Sequence, residues 1–144
     1  MSVFVDAWAW LASFDNRDPD HELAHLTVLD AIRQRVRLVT TDYVLAETIT
    51  LLFRRHRVPD FIASHAVKRM FEMQKEVCVQ IEHIYPDRFS RAFQLRFVYE
   101  DKPGISFADL TSMVVMEELR IHDIITKDRD FLSVNRGFRL LPEA

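Results

Sequence analysis

Short apolar runs alternate with longer amphipathic stretches along the whole chain. The runs have the length of buried strands, and in the stretches between them apolar residues recur at helical spacing. We predict strands at residues 2–6, 37–41 (RLVTT), 77–84 (VCVQIEHI), 123–126 (DIIT) and 138–141 (FRLL). Strands that alternate with helices predict an α/β fold, with a parallel sheet covered by helices on both faces.

The helical stretches differ in how much apolar surface they carry. We predict helices over residues 18–35, 42–55, 58–75, 86–99 and 106–120, the first capped by Asp18 with Pro19 at its first position. The last of these is apolar nearly all round, which predicts a buried helix. Phe89, Phe93 and Phe97 recur every fourth position, and we interpret this face first of all as core, although some of it could instead serve a homodimer or a partner helix.

Composition restricts the class of protein. At 144 residues, 49% hydrophobic and 28% charged, the chain is expected to form one soluble domain over residues 1–144. No apolar run approaches the ~20 residues that a membrane helix needs, and no basic segment leads into a signal-peptide core. We therefore expect no membrane association and a cytoplasmic location.

Charge and residue usage exclude several functions. The formal net charge is -3, so no global basic field indicates nucleic acid. The single cysteine, Cys78, excludes an internal disulfide and a multi-cysteine zinc site. With only two glycines, Gly104 and Gly137, the chain can carry neither a P-loop nor a dinucleotide-binding fingerprint.

Four acidic residues share positions next to strand ends. Asp6 ends the first strand, Glu47 lies one turn into the helix after the second, Asp109 lies in the first turn of the buried helix, and Asp128 follows DIIT. Because the carboxyl ends of parallel strands meet at one edge of a sheet, we expect these carboxylates to converge.

Each acid also has a purely structural interpretation. Asp6 and Asp128 could cap helices, Glu47 could be a boundary residue, and Ser106 with Asp109 forms a capping-box pattern. Taken together, four acids at strand-end positions favour a site. Clustered carboxylates form an all-oxygen site suited to Mg²⁺ or Mn²⁺, and their mutual repulsion requires a cation. Such a site has the chemistry of a nuclease.

The stretches FVDAWAWLASFD, TTDYVLAETITLL, ISFADLTSMVVMEELRIHDIITKDRDF and GFRLL cover both ends and much of the middle of the chain. In this order they resemble a PIN-domain ribonuclease of the VapC toxin type. The resemblance implies that Asp6, Glu47, Asp109 and Asp128 are the metal-binding catalytic set. Thr126 matches the threonine of the family's T-x-D-x-x-F pattern, which Phe131 closes.

The same resemblance implies a three-layer α/β/α sandwich with a central, mainly parallel sheet of four or five strands. It further implies a metal-dependent endoribonuclease that uses a metal-activated water and leaves a 5'-phosphate and a 3'-hydroxyl. The expected partners are an RNA substrate, a cognate antitoxin and a second copy of the chain. Ala7, where many relatives carry a small hydroxyl residue, and the bulky Trp8 and Trp10 depart from the family pattern. Asp130 could be an auxiliary ligand, but we interpret it as an exposed turn residue.

A competing motif lies at residues 21–25. The sequence HELAH spells H-E-x-x-H, the signature of zinc peptidases, and Glu47 could be offered as a third ligand. However, His21 would lie in the exposed first turn of its helix, whereas a zinc site needs a shielded surround. We favour coincidence over a zinc metallopeptidase.

Two further possibilities concern binding. A PIN-like fold could bind RNA or a protein partner without cutting, although the intact acid set argues against this. The densest basic run, residues 54–57 (RRHR), could contact RNA, but we interpret it as a solvated helix end.

Overall fold

One parallel sheet forms the centre of the molecule. The structure is a computed structural model that describes residues 1–54, 60–76 and 79–143. Its strands are β1 (Ser2–Val5), β2 (Arg37–Thr41), β3 (Val79–Glu82), β4 (Asp123–Ile125) and β5 (Arg139–Leu141). They lie in the order β3-β2-β1-β4-β5, and every neighbouring pair is parallel.

Seven helices in the described residues connect these strands. They are α1 (Ala7–Phe14), α2 (His21–Arg33), α3 (Asp42–Arg54), α4 (Asp60–Lys75), α5 (Pro86–Val98), α6 (Phe107–Glu118) and α7 (Asp130–Ser133). Helix α1 packs on α2, and α5 packs on α6. Because crossovers between parallel strands are right-handed, the reversal of strand order after β3 sends later helices to the opposite face. The predicted α/β/α architecture with a parallel sheet is confirmed.

The strand order reverses beside β1. From β1 the chain moves outward through β2 and β3, and it then returns to place β4 on the other side of β1. The two central strands pair through Phe4 with Ile124 and Val5 with Ile125. Ligands of open parallel sheets bind at the carboxyl ends of the strands at such a switch point. Here those ends are Asp6 and the segment that follows Ile125.

The core lies on both faces of β1 and along α6. Val3, Phe4 and Val5 are all buried, as expected for a central strand with helices on either side. Helix α6 is buried continuously from Leu110 to Met116, which confirms the prediction from its apolar sequence. None of the described helices has the length and apolar character needed to cross a membrane.

The start of α2 differs from the prediction. The helix begins at His21, and Asp18 instead accepts a hydrogen bond from the Asp20 amide, at 2.8 Å, in the turn that precedes it. An aspartate carboxylate serves a turn as readily as a helix N-terminus. The prediction that Asp18 caps α2 is therefore wrong.

The interpretation of the phenylalanine face of α5 is also wrong. Phe89, Phe93 and Phe97 are 44%, 52% and 60% exposed, whereas Ala92 of the same helix is buried. Spacing shows that the three rings share a face, but it does not show which way that face points.

Some sequence predictions fall outside the described residues. These are the basic residues 55–57 and the cysteine at position 78. Within the described part of α4, Ala66 and Met70 are buried.

Candidate active site

Asp6 is a buried carboxylate at the centre of the switch point. It follows β1 directly, occupies the N-cap position of α1 and is only 7% exposed. Its side chain makes no capping hydrogen bond to α1. Instead, Oδ2 of Asp6 accepts a hydrogen bond from Oγ1 of Thr126 at 2.9 Å. Helix capping therefore does not explain why a carboxylate stands between two apolar segments.

Thr126 joins the ends of the two central strands. Its hydroxyl donates to Asp6 and accepts a hydrogen bond from the backbone N–H of Asp128, at 3.1 Å. The side chain is buried, at 2% exposure. One hydroxyl thus fixes the orientation of Asp6 and the path of the chain that carries Asp128.

Asp109 reaches the site from the first turn of α6. The Asp109 amide donates to Oγ of Ser106 at 3.0 Å, and the Ser106 amide donates to Oδ2 of Asp109 at 3.3 Å. The capping box suggested by the sequence is therefore present. Its geometry uses one carboxylate oxygen for the cap and leaves Oδ1 without a role in it.

The loop before α6 is held by Arg96. The Arg96 guanidinium donates to the backbone carbonyls of Tyr99, Lys102 and Ile105, the first two at 2.7 and 2.8 Å. Hydrogen bonds from a charged donor are stronger than those between neutral groups. This arrangement fixes where α6 begins, and with it the position of Asp109.

Three carboxylates meet closely. One oxygen from each of Asp109, Asp128 and Asp130 lies within 4.8 Å of the other two, the only such group of metal-binding side chains in residues 1–54, 60–76 and 79–143. Asp130 is the first residue of α7, and its amide donates to Oδ1 of Asp128 at 2.9 Å. Sequence reasoning treated Asp130 as an exposed turn residue, whereas the structure places it beside Asp109 and Asp128.

Crowding changes the acidity of the site. Burial raises the pKa of Asp6 to about 6, with a further contribution from the charges of Glu47 and Asp128. The backbone N–H of Ala7 and the hydroxyl of Thr126 oppose this rise. Burial and the charges of Asp6 and Asp128 raise the pKa of Asp109 to about 7. Burial and Asp128 also raise the pKa of Asp130. The site therefore holds more negative charge than its surroundings stabilise.

Glu47 lies at the periphery. It projects from α3, is exposed, and is near enough for its charge to raise the pKa of Asp6. Neither Glu47 nor Asp6 belongs to the close three-carboxylate group. Of the four acids predicted from the sequence, Asp109 and Asp128 have carboxylate oxygens within 4.8 Å of each other. The charge of Asp6 interacts with both, and the charge of Glu47 interacts with Asp6.

The histidines of the HELAH motif form a separate arrangement on α2. The rings of His21 and His25 stack with centroids 5.9 Å apart, and Nδ1 of His21 lies 2.7 Å from the carbonyl oxygen of Ala12. Among the described residues no third metal-binding side chain joins them in a close group. This geometry gives no support to a zinc-peptidase site.

The donor set of the acidic site fits a hard divalent cation. Its side-chain donors are carboxylate oxygens, the ligands that Mg²⁺ and Mn²⁺ prefer, and no histidine or cysteine among the described residues takes part. Burial, together with the charges of neighbouring acids, raises the pKa values of Asp6 and Asp109. A cation held by Asp109, Asp128 and Asp130 next to Asp6 would supply that charge.

Comparison with known proteins agrees with this geometry. The PIN domain family matches residues 3–137, and the chain belongs to that family. Among solved structures it is similar to VapC20 of Mycobacterium tuberculosis, described as a toxin that cleaves the sarcin-ricin loop. The TM-score is 0.76 at 28% identity, over 96% of this chain and 97% of that one.

A second structural match concerns the fold alone. PAE2754 of Pyrobaculum aerophilum aligns with a TM-score of 0.66 at 20% identity, over 98% of this chain and 90% of that one. Among curated proteins, the comparison finds no sequence match. The family and the VapC neighbour support a nuclease of the toxin type, as the sequence resemblance implied.

Proposed function

We propose that this protein is a metal-dependent endoribonuclease and the toxin of a toxin-antitoxin pair. The observation that carries the proposal is the group of three carboxylate oxygens within 4.8 Å of one another, beside the buried Asp6 at the switch point of the sheet. Membership of the PIN family and the similarity to VapC20 give further support.

The acids divide into ligands and a positioning network. Asp109, Asp128 and Asp130 would hold Mg²⁺ or Mn²⁺ directly, with Asp6 and Glu47 completing the negative field around it. When bound, such an ion polarises a phosphodiester and lowers the pKa of a water molecule. The protein keeps Asp6 and Asp128 in register through Thr126, and it fixes Asp109 through the Ser106 cap.

A cleavage assay with purified protein tests this function. We expect single-stranded RNA to be cut in Mg²⁺ or Mn²⁺, to remain intact in a chelator, and to yield a 5'-phosphate and a 3'-hydroxyl. His21→Ala should cut at the wild-type rate, since α2 supplies no ligand. A protein that binds RNA in the presence of metal without cutting it would instead be a non-catalytic PIN-like binding protein.

The antitoxin is expected to act on the same charge. The acids of the site attract a cation, and a basic side chain of a partner peptide would compensate them as a metal ion does. A peptide arginine suits this role because its guanidinium can contact two carboxylates at once.

Thr126→Val should reduce cleavage without removing an acid. Valine keeps the shape of threonine but loses both hydrogen bonds, to Asp6 and from Asp128. Loss of such supporting contacts typically lowers metal affinity or activity by about 10–100-fold. The measurement is cleavage rate against Mn²⁺ concentration. Thr126→Ser retains the hydroxyl and should stay close to wild type; equal loss in both variants would contradict the role of the hydroxyl.

The exposed phenylalanine face of α5 supports a homodimer. Phe89, Phe93 and Phe97 form an apolar strip that water would otherwise hydrate, and such strips mark interaction sites. Phe93→Glu should convert a dimer into a monomer in sedimentation experiments, while the stability of the fold changes by about 0.5 kcal/mol or less. A wild-type protein that is monomeric at high concentration would contradict this assignment.

A further inference from the structure

A groove of about 480 Å³ lies behind the loop that carries Asp128. Its lining includes Thr126, Lys127, Arg129, Leu132, Phe138 and Leu140. The volume falls within the range of ~300–1,000 Å³ that small-molecule sites occupy. Thr126 lines the groove and also bonds to Asp6 of the acidic site, so the two regions lie next to each other.

Lys127 lines this groove, and its ammonium group is fixed in position by two neighbouring side chains. Its ammonium donates to Oδ1 of Asp20 at 2.7 Å and lies 5.8 Å from the centroid of the Trp8 ring. The Trp8 indole N–H donates to Oδ2 of the same Asp20 at 3.2 Å. The Lys127 side chain is nevertheless 51% exposed, and an ammonium has three donors. Asp20 and Trp8 therefore orient Lys127 while leaving donors for a ligand.

Arg129 is a second cation on the same wall. It is exposed, and no described residue forms an ion pair with its guanidinium. Residues 126–129 thus serve two sites: Thr126 and Asp128 belong to the acidic site, and Lys127 and Arg129 line the groove.

Two more charged residues line the groove, Arg139 and Glu143, which pair with each other at 3.8 Å, and most of the other lining is apolar. Leu132 is 38% exposed and Leu140 is half-buried, so both present apolar surface to the groove. A ligand that combines negative charge with a flat apolar body matches cations beside an apolar floor. The nucleotides of RNA have this composition, and those next to a cleaved phosphate must lie beside the acidic site.

We propose that this groove binds the nucleotide adjacent to the scissile phosphate of a single-stranded RNA, with Lys127 and Arg129 contacting backbone phosphates and the base or sugar lying against Leu132 and Leu140. The inference rests on the proposed ribonuclease function. It also gives a physical reason for the two cations: five acids repel phosphates, so neighbouring phosphates need positive charge beyond a metal ion.

Salt-dependent binding of RNA tests the subsite separately from cleavage. A fluorescent single-stranded RNA oligonucleotide is titrated with protein in a chelator, where no cutting is expected, at several salt concentrations. Lys127→Met and Arg129→Met should each make the negative slope of log affinity against log salt shallower by about 0.7, which corresponds to the loss of one phosphate contact. Lys127→Arg keeps the charge and should retain the slope, and Leu132→Asp should weaken binding severalfold.

The matched control is Lys68→Met, which removes an exposed lysine from α4 and should leave the slope unchanged. In cleavage assays, the Lys127→Met and Arg129→Met variants should raise KM severalfold with kcat much less affected. If both variants bind RNA with the wild-type slope, the subsite is refuted. If RNA binding follows the expected slopes but the wild type cuts no RNA, the subsite stands and the proposed function fails.

Discussion

Asp6→Asn is expected to abolish RNA cleavage and to raise the melting temperature of the metal-free protein at pH 8. Asparagine keeps an oxygen that can accept the Thr126 hydroxyl, so the hydrogen bond survives while the charge is removed. Loss of a group that supports a metal ligand typically lowers activity by about 10–100-fold. Asp6 contributes its own negative charge to the site, so we expect its replacement to lower cleavage by more than about 100-fold.

The gain in stability follows from the raised pKa. An ordinary aspartate pKa of 3.8 that burial raises to about 6 means that the charged form is destabilised in the folded protein by roughly 3 kcal/mol. Replacing it with a neutral side chain should recover part of this free energy of unfolding. Calorimetry without metal and a cleavage assay provide the two measurements.

Asp15→Asn is the matched control for this variant. Asp15 is buried to the same degree as Asp6, at 6% exposure, but it lies at the other end of α1. There it accepts a hydrogen bond from the Arg17 amide and forms an ion pair with the Arg17 guanidinium. Its replacement should retain cleavage and should not raise the melting temperature. A large loss of stability in Asp6→Asn with activity retained would refute the assignment of Asp6.

The second large effect concerns pH and metal together. In a chelator, the free energy of unfolding should fall as pH rises from about 4 to about 7. Asp6 and Asp109 lose their protons near pH 4 in the unfolded chain but only near pH 6–7 in the folded protein. Between those values the folded state binds more protons, and ∂ΔG/∂pH is therefore negative.

Saturating Mg²⁺ or Mn²⁺ should raise the free energy of unfolding at pH 8. Carboxylates must be deprotonated to hold a cation, and an ion at ~100 times its Kd stabilises the folded state by about 2.7 kcal/mol. The melting temperature should therefore rise with added metal at pH 8 and change little at pH 5. If zinc instead co-purifies in stoichiometric amount and His21→Ala releases it, the result supports a zinc peptidase and contradicts the proposed ribonuclease.

Much of the fold could be predicted from the sequence because its signals were local. The apolar strand RLVTT, the Asp42 start of α3 and the Ser106 cap of α6 each depend on residues within one or two turns, and each is found where expected. The association of Asp109 with Asp128 was also predictable, since parallel strands bring their carboxyl ends to one edge and the first turn of α6 can reach it.

What failed depended on direction in space. The spacing of Phe93 with its neighbours defined a face of α5 but not whether sheet or solvent lies beside it. The sequence left Asp130 as a possible auxiliary ligand but favoured an exposed turn residue, because an aspartate in a turn has an adequate local explanation. Only the backbone of residues 128–130 brings it to Asp109.

The Thr126–Asp6 hydrogen bond has a consequence for biosynthesis, because the two residues stand 120 positions apart. The three close carboxylates and the Thr126 hydroxyl that orients Asp6 all lie within residues 109–130. A nascent protein on the ribosome therefore has no complete acidic site, however well its first strands have folded. For a protein that would attack RNA, the acidic site cannot form before residues 109–130 have been synthesised.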